Sequence, residues 1–290
     1  MWPEAFVKLL QKRSKQMAQS FTQQILASRA VIRLAGEAPL AFLHNLLTCE
    51  VAQLPAGQWT YGALLSPQGK IQHDVFVIHD GEQVFVDCST SQRDALLQKL
   101  KLYRLRAKIE IAAEDTRAVA VGTNEGLASA DPRVAALGLR AVVAANSLPV
   151  GHGYDAARLA LGLADSEADI GVNQLFPHEA NFDQWGGVSF TKGCYVGQEV
   201  VSRMQHRGTA RSRILPLTGD GELPGRGSPI RSDETPVGEM LSSANQQGLA
   251  LLRLDRLAAA AAPLLTESVR IHIQKPDWMT ADVTVPEIAA

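Results

Sequence analysis

The sequence predicts an α+β protein followed by a separate antiparallel β-barrel. Up to about residue 210, helical spacings of apolar residues are interleaved with alternating strand patterns. Beyond that point, short strand patterns alternate with turns rich in Gly, Pro and Asp. The glycine motifs of doubly wound, nucleotide-binding parallel folds are absent from the sequence. We therefore predict a basic extension over 1–20, an α+β region over 21–210 and a β-barrel over 211–290.

The first half of the α+β region combines a helix with an antiparallel meander. Apolar residues at helical spacing predict a helix over 38–48. Strand patterns over 59–88 surround a Ser-Pro-Gln-Gly turn and the dipeptide Asp80-Gly81, which is typical of a hairpin. Ser91 and Asp94 resemble a capping box, so a second helix is predicted from there to Leu102.

The later elements are predicted from alternation and turn residues. Leu105, Ala107, Ile109 and Ile111 alternate with charged residues, which indicates a half-buried strand. Further α+β elements are two strands over 118–122 and 139–143 and a helix over 154–161. The predicted barrel strands are 213–217, 235–240, 249–254, 269–274 and 281–285. Pro216 and Pro236 favour edge strands, because proline lacks the backbone donor of a paired strand.

Composition excludes several classes of protein. Lys and Arg total 28 against 30 Asp and Glu, so a general attraction to polyanions is not expected. No apolar run reaches the roughly 18 residues of a spanning helix. Residues 1–30 are basic, which is typical of a solvated helix and also of a transit peptide. We predict a monomer without a membrane segment, located in the cytoplasm, with the mitochondrial matrix as the alternative.

The three cysteines differ in their surroundings. Their odd number and wide spacing argue against disulfides and a zinc site, and no bound metal is predicted. Cys49 and Cys88 lie in apolar stretches and are predicted to be core residues. Cys194 lies among glycines and polar residues, two positions after Lys192, whose charge can stabilise a thiolate. Cys194 is therefore the candidate reactive thiol.

The segment around Cys194 carries a family resemblance. Residues 192–199, Lys-Gly-Cys-Tyr-Val-Gly-Gln-Glu, resemble the K-G-C-[FY]-x-G-Q-E signature of the YgfZ family of folate-binding proteins. That family is related to the T-protein, the aminomethyltransferase of the glycine cleavage system. Four further segments match the family in order and spacing: 46–48, 64–71, 103–108 and 186–190.

The resemblance implies a fold and a function. The fold would have two intertwined α+β domains around a folate-binding cleft and a C-terminal β-barrel. The function would be assembly or repair of iron–sulfur clusters in client enzymes, including radical enzymes that modify tRNA. The implied cofactor is tetrahydrofolate or a folate derivative, and the implied partners are iron–sulfur client or assembly proteins. The family's cysteine corresponds to Cys194.

The resemblance also implies site residues. Tyr154 and Arg158 correspond to positions that line the pterin slot, while Ala160 replaces a glutamate with which the T-protein reads the pterin. Asp74, preceded by His73, half matches an aspartate pair of the T-protein. Reactive roles are predicted for Cys194, Lys192 and Asp74. The predicted cofactor-binding set is Tyr154, Arg158, Lys192, Gly193, Tyr195, Gln198, Glu199 and Arg203.

Two other functions stay open. The first is a tetrahydrofolate-dependent transferase of an aminomethyl or other one-carbon group, for which Asp74 would position or deprotonate the folate amine. The second is a tRNA-binding accessory protein that holds the RNA backbone through the basic run 203–213. Whether the chain is an enzyme at all is left open, and the assembly role favours a protein without turnover.

Overall fold

Two antiparallel sheets share the α+β region. The structure, a computed structural model, describes residues 21–208 and 210–286, so the predicted extension over 1–20 lies outside the described residues. The strands of the first sheet are β2 (Arg29–Gly36), β3 (Thr60–Leu65), β4 (Ile71–His79), β5 (Val84–Ser89) and β6 (Ile109–Ala113). Those of the second sheet are β1 (Gln24–Ile25), β7 (Arg117–Val121), β8 (Leu127–Ala130) and β9 (Leu139–Ala144).

The connectivity intertwines these sheets. The first sheet has the order β3-β4-β5-β2-β6, and the second has the order β1-β7-β9-β8. From its first described strand, β1, the chain thus passes from the second sheet into the whole of the first sheet and then returns. The predicted meander and the strands near 118–122 and 139–143 are confirmed.

Strand β4, which lies between β3 and β5, shows why the first sheet is covered on both faces. Val75 and Val77 point into a core shared with two helices, α1 (Pro39–His44) and α2 (Arg93–Arg104). Phe76 and Ile78 point the opposite way, into the core between the two sheets. A strand buried on both faces is apolar along its length, which is the pattern of residues 75–78.

The C-terminal region is a closed barrel with the strand order β10-β13-β12-β11-β14-β15. Its strands are β10 (Ser212–Gly219), β11 (Pro229–Ser232), β12 (Thr235–Ala244), β13 (Gln247–Arg253), β14 (Leu264–Thr266) and β15 (Val269–Ile273). The predicted barrel is confirmed, but the predicted strand over 281–285 is wrong, because those residues form no strand.

The prediction that Pro216 and Pro236 mark edge strands is also wrong, since a closed barrel has no edge. Pro216 precedes the three residues of β10 that pair with β15. Pro236 pairs with Arg231 beside a register shift in β11. Pro216 thus lies where the β10–β15 ladder ends, and Pro236 lies beside a register shift. Both positions tolerate a missing donor, as an edge strand does.

Helix α2 differs from its prediction at both ends. Ser91 does not cap it; its hydroxyl donates instead to Glu167. The helix continues through Arg104, and Leu105 then takes a φ of 47° with its side chain 84% exposed. The predicted strand over 105–111 is therefore wrong in its first half, and β6 begins at Ile109, where alternating burial begins.

Besides three short 3-10 or π helices, three further α-helices lie in the described part of the chain. They are α3 (Gly153–Ala160), α4 (Gln198–Arg207) and α5 (Leu254–Ala258). Helix α1 is shorter than the predicted 38–48, since Leu47 already forms a bridge to Leu64 of β3. Within the described ranges, no helix has the length and apolar character needed to cross a membrane.

Candidate functional site

The loop that carries Cys194 is held by segments from distant parts of the chain. Thr48, fully buried, donates from Oγ1 to the carbonyl of Gly187 at 2.5 Å and accepts from the amide of Ala63 at 2.9 Å. The carbonyl of Thr48 accepts from the amide of Ser189 at 2.8 Å. Thr48 therefore ties the segment 186–190 to strand β3.

Lys192 anchors the signature itself. Its ammonium donates to the backbone carbonyls of His44, the last residue of helix α1, and of Leu47 at 2.7 Å and Cys49 at 2.9 Å. An ammonium has three donors, so none is left for Cys194. Burial lowers the pKa of Lys192. The hydrogen-bond donors of Lys192 therefore anchor the loop, and stabilisation of the thiolate by the charge of Lys192 stays a prediction.

Two glycines allow the signature to pack against the turn between β3 and β4. Gly197 has a φ of 81°, and a Cβ added there would lie 2.7 Å from the carbonyl oxygen of Ser66. Gly69 has a φ of 80°, and its added Cβ would lie 2.8 Å from Cβ of Val200 in α4. Only glycine accommodates both the positive φ and this approach.

Cys194 lies on the exposed side of this anchored loop. The thiols of Cys49 and Cys88 are buried, as predicted, whereas Cys194 is exposed. Burial raises the pKa of Cys49 to about 11 and that of Cys88 to about 12. Tyr195, the next residue, is buried, and burial followed by the charge of Cys49 raises its pKa to about 12. The backbone thus presents one thiol outward between two anchors, Lys192 and Tyr195.

The remaining predicted residues of this segment lie around the loop and along α4. Gly193 is exposed, and a Cβ there would meet nothing within 4 Å. Gln198 is half-buried at the start of α4. Glu199 and Arg203 form an exposed ion pair of 2.6 Å. These predicted cofactor-binding residues therefore lie on the protein surface and do not form an enclosed slot for a pterin.

A second group of predicted residues meets in a cavity between the two sheets. Tyr154, Arg158 and Asp74 all line it, whereas no residue of the signature does. The other lining residues are Ser28, Arg29, Phe76, Arg133, Arg140, Ala164, Asp165 and Ser166. The predicted site residues therefore divide into two sites, the Cys194 loop and this central cavity.

Buried ion pairs form much of the cavity wall. Asp87 accepts from Arg29 Nε at 2.6 Å and also from Arg140. Asp131 pairs with Arg133 Nη2 at 2.9 Å. Burial opposes the charge of Asp131, but hydrogen bonds from Arg133 and the charges of Arg133 and Arg140 together outweigh burial and hold the pKa of Asp131 below its usual range. The guanidinium of Arg140 lies 3.9 Å from the centre of the Phe76 ring.

Asp74 and Tyr154 face this network. Asp74 Oδ2 accepts from the hydroxyl of Tyr61 at 3.1 Å and lies 3.8 Å from Arg29 Nη1. Burial and the charge of Asp74 raise the pKa of Tyr61 well above its usual value. The hydroxyl of Tyr154 accepts from Arg133 Nη2 at 2.7 Å. Asp74 is thus a buried carboxylate at the cavity wall, held by one hydrogen bond from Tyr61 and by the nearby charge of Arg29.

Arg158 connects the cavity to the barrel. Its guanidinium pairs with Asp155 at 2.7 Å and with Asp169 at 2.8 Å, and it donates to Ser242 Oγ of β12 at 3.3 Å. Asp169 also accepts from the amide of Ser242 at 2.8 Å. The donors of Arg158 are therefore committed to contacts within the protein.

Part of the basic run 203–213 is also committed. Arg213 is buried and pairs with Asp183 at 2.7 Å, while it donates to the carbonyl of His178 at 2.8 Å. Arg211 and His206 are exposed. The run is thus divided between the protein interior and the surface.

Sequence reasoning did not find the buried charges Arg29, Asp87, Asp131, Arg133 and Arg140. A signal was present for two of them: Asp87 lies between Val86 and Cys88, and Arg140 precedes Ala-Val-Val. A charge inside an apolar strand pattern indicates a buried pair, because an unpaired buried charge is strongly unfavourable. The partner of each charge is set by the packing of the two sheets.

The described residues contain no group of three His, Cys, Asp or Glu side chains placed to hold a metal ion.

Comparison with known proteins defines the class of fold. The aminomethyltransferase T of the glycine cleavage system from Bartonella henselae superposes with a TM-score of 0.72 at 12% identity, over 94% of this chain and 90% of that one. Residues 211–281 match the family described as CAF17, C-terminal beta-barrel domain. This chain has the T-protein-like fold with a closed C-terminal barrel of six antiparallel strands.

Sequence similarity points to a particular group within that class. The chain is 30% identical to the "Iron-sulfur cluster assembly factor IBA57 homolog, mitochondrial" of Chaetomium globosum, across 70% of this chain and 57% of that protein. It is 28% identical to the human "Iron-sulfur cluster assembly factor IBA57, mitochondrial", across 87% of this chain and 84% of that protein. These relatives support the iron–sulfur part of the prediction, and their names do not support the cytoplasmic location.

Proposed function

We propose that this chain assists the assembly or repair of iron–sulfur clusters in client enzymes, with Cys194 as the functional thiol. The support is the similarity to proteins named iron–sulfur cluster assembly factors, together with one observation. Cys194 is exposed on a loop that is anchored on both sides. A thiolate is a nucleophile and a soft metal ligand, and exposure makes it available to a partner protein.

The test replaces the thiol in a strain that lacks the chromosomal copy of this protein. We expect Cys194→Ser to lower the cluster content of purified [4Fe–4S] enzymes at least fivefold relative to the wild-type chain, as in the strain without the protein. Gly193→Ala is the matched control, because it changes the same loop but leaves the Cys194 thiol in place, and the added methyl group meets open space. Wild-type cluster content with Cys194→Ser, at equal protein level, would remove the thiol from the proposal.

We also propose that the central cavity binds a folate. Its donors and acceptors suit a pterin edge: Asp74 is a carboxylate, and Arg140 Nη1 makes no hydrogen bond among the described residues, with Asp131 Oδ2 3.9 Å away. The free space is about 10 Å³, close to the minimum for one water molecule. Folate binding therefore requires the wall of this cavity to move outward.

Titration of tetrahydrofolate and folinic acid into the intact protein tests this site. We expect saturable binding that is at least tenfold weaker in Tyr154→Ala, and Glu199→Ala serves as a control on the signature surface. If neither tetrahydrofolate nor folinic acid binds, the cavity is excluded as a folate site. The result of the Cys194→Ser experiment does not depend on this outcome.

A transferase is the second candidate function, favoured by the T-protein-like fold and by the placement of Asp74 in the cavity. It predicts turnover of tetrahydrofolate with an aminomethyl or methyl donor, and loss of that turnover in Asp74→Asn. No turnover with several donors would exclude it.

The tRNA-binding function loses one of its predicted RNA contacts, because the guanidinium of Arg213 is buried and cannot reach RNA. Arg203 and Arg211 remain as exposed cations of the basic run. RNA binding through them should be steeply salt-dependent.

The cellular location is proposed from the relatives, whose names carry the word mitochondrial. They favour the mitochondrial matrix, the alternative to the cytoplasm, and the basic residues 1–20 lie outside the described residues. Fractionation of cells that express the full chain tests this location, and its recovery with cytosolic markers alone would exclude the matrix.

A further inference from the structure

One segment of the family resemblance has no part in either site. Four of the five segments pack together around the Cys194 loop, but residues 103–108 lie at the end of helix α2. We call residues 101–108 the α2 tip. All of its residues except Tyr103 are exposed. The α2 tip thus needs a separate explanation.

The α2 tip exposes apolar surface. Leu102 is 72% exposed and Leu105 is 84% exposed, the two highest values among the large apolar side chains of the described residues. A single exposed leucine is ordinary. Two on one turn, the second held at a φ of 47°, give the α2 tip a small apolar patch, and apolar surface rimmed by polar residues is a feature of interaction sites.

Cations surround this patch. Lys101, Arg104, Arg106 and Lys108 are all exposed there. Lys108 has a carboxylate partner, Glu37, at 3.2 Å. Lys101, Arg104 and Arg106 have no carboxylate within ion-pair distance in the described part of the chain, and Arg104 donates only to the carbonyl of Ile109, at 3.1 Å. The α2 tip thus presents two leucines surrounded by cations. A partner surface that complements it would have an apolar side chain surrounded by acidic residues.

We propose that the α2 tip docks an acidic, amphipathic segment of a protein partner. The leucines favour protein over RNA, because single-stranded RNA is held by phosphate contacts and by bases stacked on aromatic rings. The aromatic residue of the tip, Tyr103, instead packs against the core under α2. A symmetric contact with the α2 tip of a second copy is disfavoured, since that tip would bring the same positive charge.

Site-specific photocrosslinking in living cells tests this proposal on the full chain. Benzoylphenylalanine replaces Leu102, and the light-dependent, nuclease-resistant adduct is digested and sequenced. We expect the crosslinked peptide to be acidic, with at least two large apolar residues. As a synthetic peptide it should bind the purified wild-type protein at least tenfold more tightly than the double variant Leu105→Ser, Arg106→Glu.

Leu265→Ser is the matched control, because Leu265 is an exposed leucine on the barrel, and it should leave peptide affinity unchanged. Absence of an adduct, a nuclease-sensitive adduct, an adduct with a second copy of this chain, or a peptide that is basic or wholly polar would each overturn the proposal. Cys194→Ser should retain the adduct, so failure of the thiol proposal and failure of this one are distinguishable.

Discussion

Some polar and charged residues of this protein are buried although the local sequence predicts that they are exposed. His73 and Asp74 precede the apolar stretch of β4, and a surface position is the ordinary expectation for such a pair. Both are buried, because helix α2 covers one face of the sheet and the second sheet covers the other. His73 Nδ1 lies 3.0 Å from Gln92 Oε1, just before α2.

His73 makes stability depend on pH. Burial, followed by the charge of Lys99, lowers the pKa of His73 to about 4 from an ordinary value of 6.5. Below pH 6.5 the unfolded chain therefore binds a proton that the folded protein does not, so stability falls as the pH drops from 6.5 towards 4. Between pH 7.5 and pH 5 we expect a loss of about 2 kcal/mol from this residue.

Urea denaturation at several pH values measures this contribution. His73→Gln should remove about 2 kcal/mol of the pH dependence between pH 7.5 and pH 5, whatever its effect on absolute stability. Equal pH dependence in both proteins would mean that His73 titrates normally in the folded state.

At the scale of elements, the Cys194 loop depends on a close contact between a turn and a helix. The turn between β3 and β4 and the start of α4 are more than 120 residues apart along the chain, yet Gly69 and Gly197 bring their backbones together. The sequence identifies both segments as glycine-containing turns. Their contact depends on how α4 packs against the first sheet.

Gly197→Ala tests this contact. We expect a loss of about 2 kcal/mol or more, since the added Cβ meets the Ser66 carbonyl at 2.7 Å and the φ of 81° disfavours alanine. Gly193→Ala, in the same loop, should change stability by no more than about 0.5 kcal/mol, because its Cβ has open space. Equal effects in chemical denaturation would contradict the contact.

At the scale of the whole molecule, a buried ion pair connects the α+β region with the barrel. Arg158 of α3 and Asp169 contact each other, and both contact Ser242 of β12. Trp185 of the α+β region also lies 5.0 Å, between ring centres, from Trp278, which follows the barrel strands. These contacts predict that the two regions stabilise each other.

Asp169→Asn should cost about 3 kcal/mol, because it leaves the buried Arg158 without its interior carboxylate. Asp155→Asn is the matched control: Asp155 contacts the same guanidinium, but its side chain is 69% exposed, so we expect a loss below about 1 kcal/mol. Calorimetric unfolding compares the two variants. A similar small loss in both would show that the interior pair does not couple the regions.

Local patterns were sufficient to predict most strands, the barrel and the burial of each cysteine, because periodicity and nearby composition report whether a segment has a buried face. They failed at Leu105, whose alternation with charged residues matched a strand although it ends a helix and points outward. They also could not show that the predicted site residues divide between the Cys194 loop and a cavity lined with arginine and aspartate. That division depends on contacts between segments far apart in sequence, and such contacts follow from how the sheets, helices and barrel pack together.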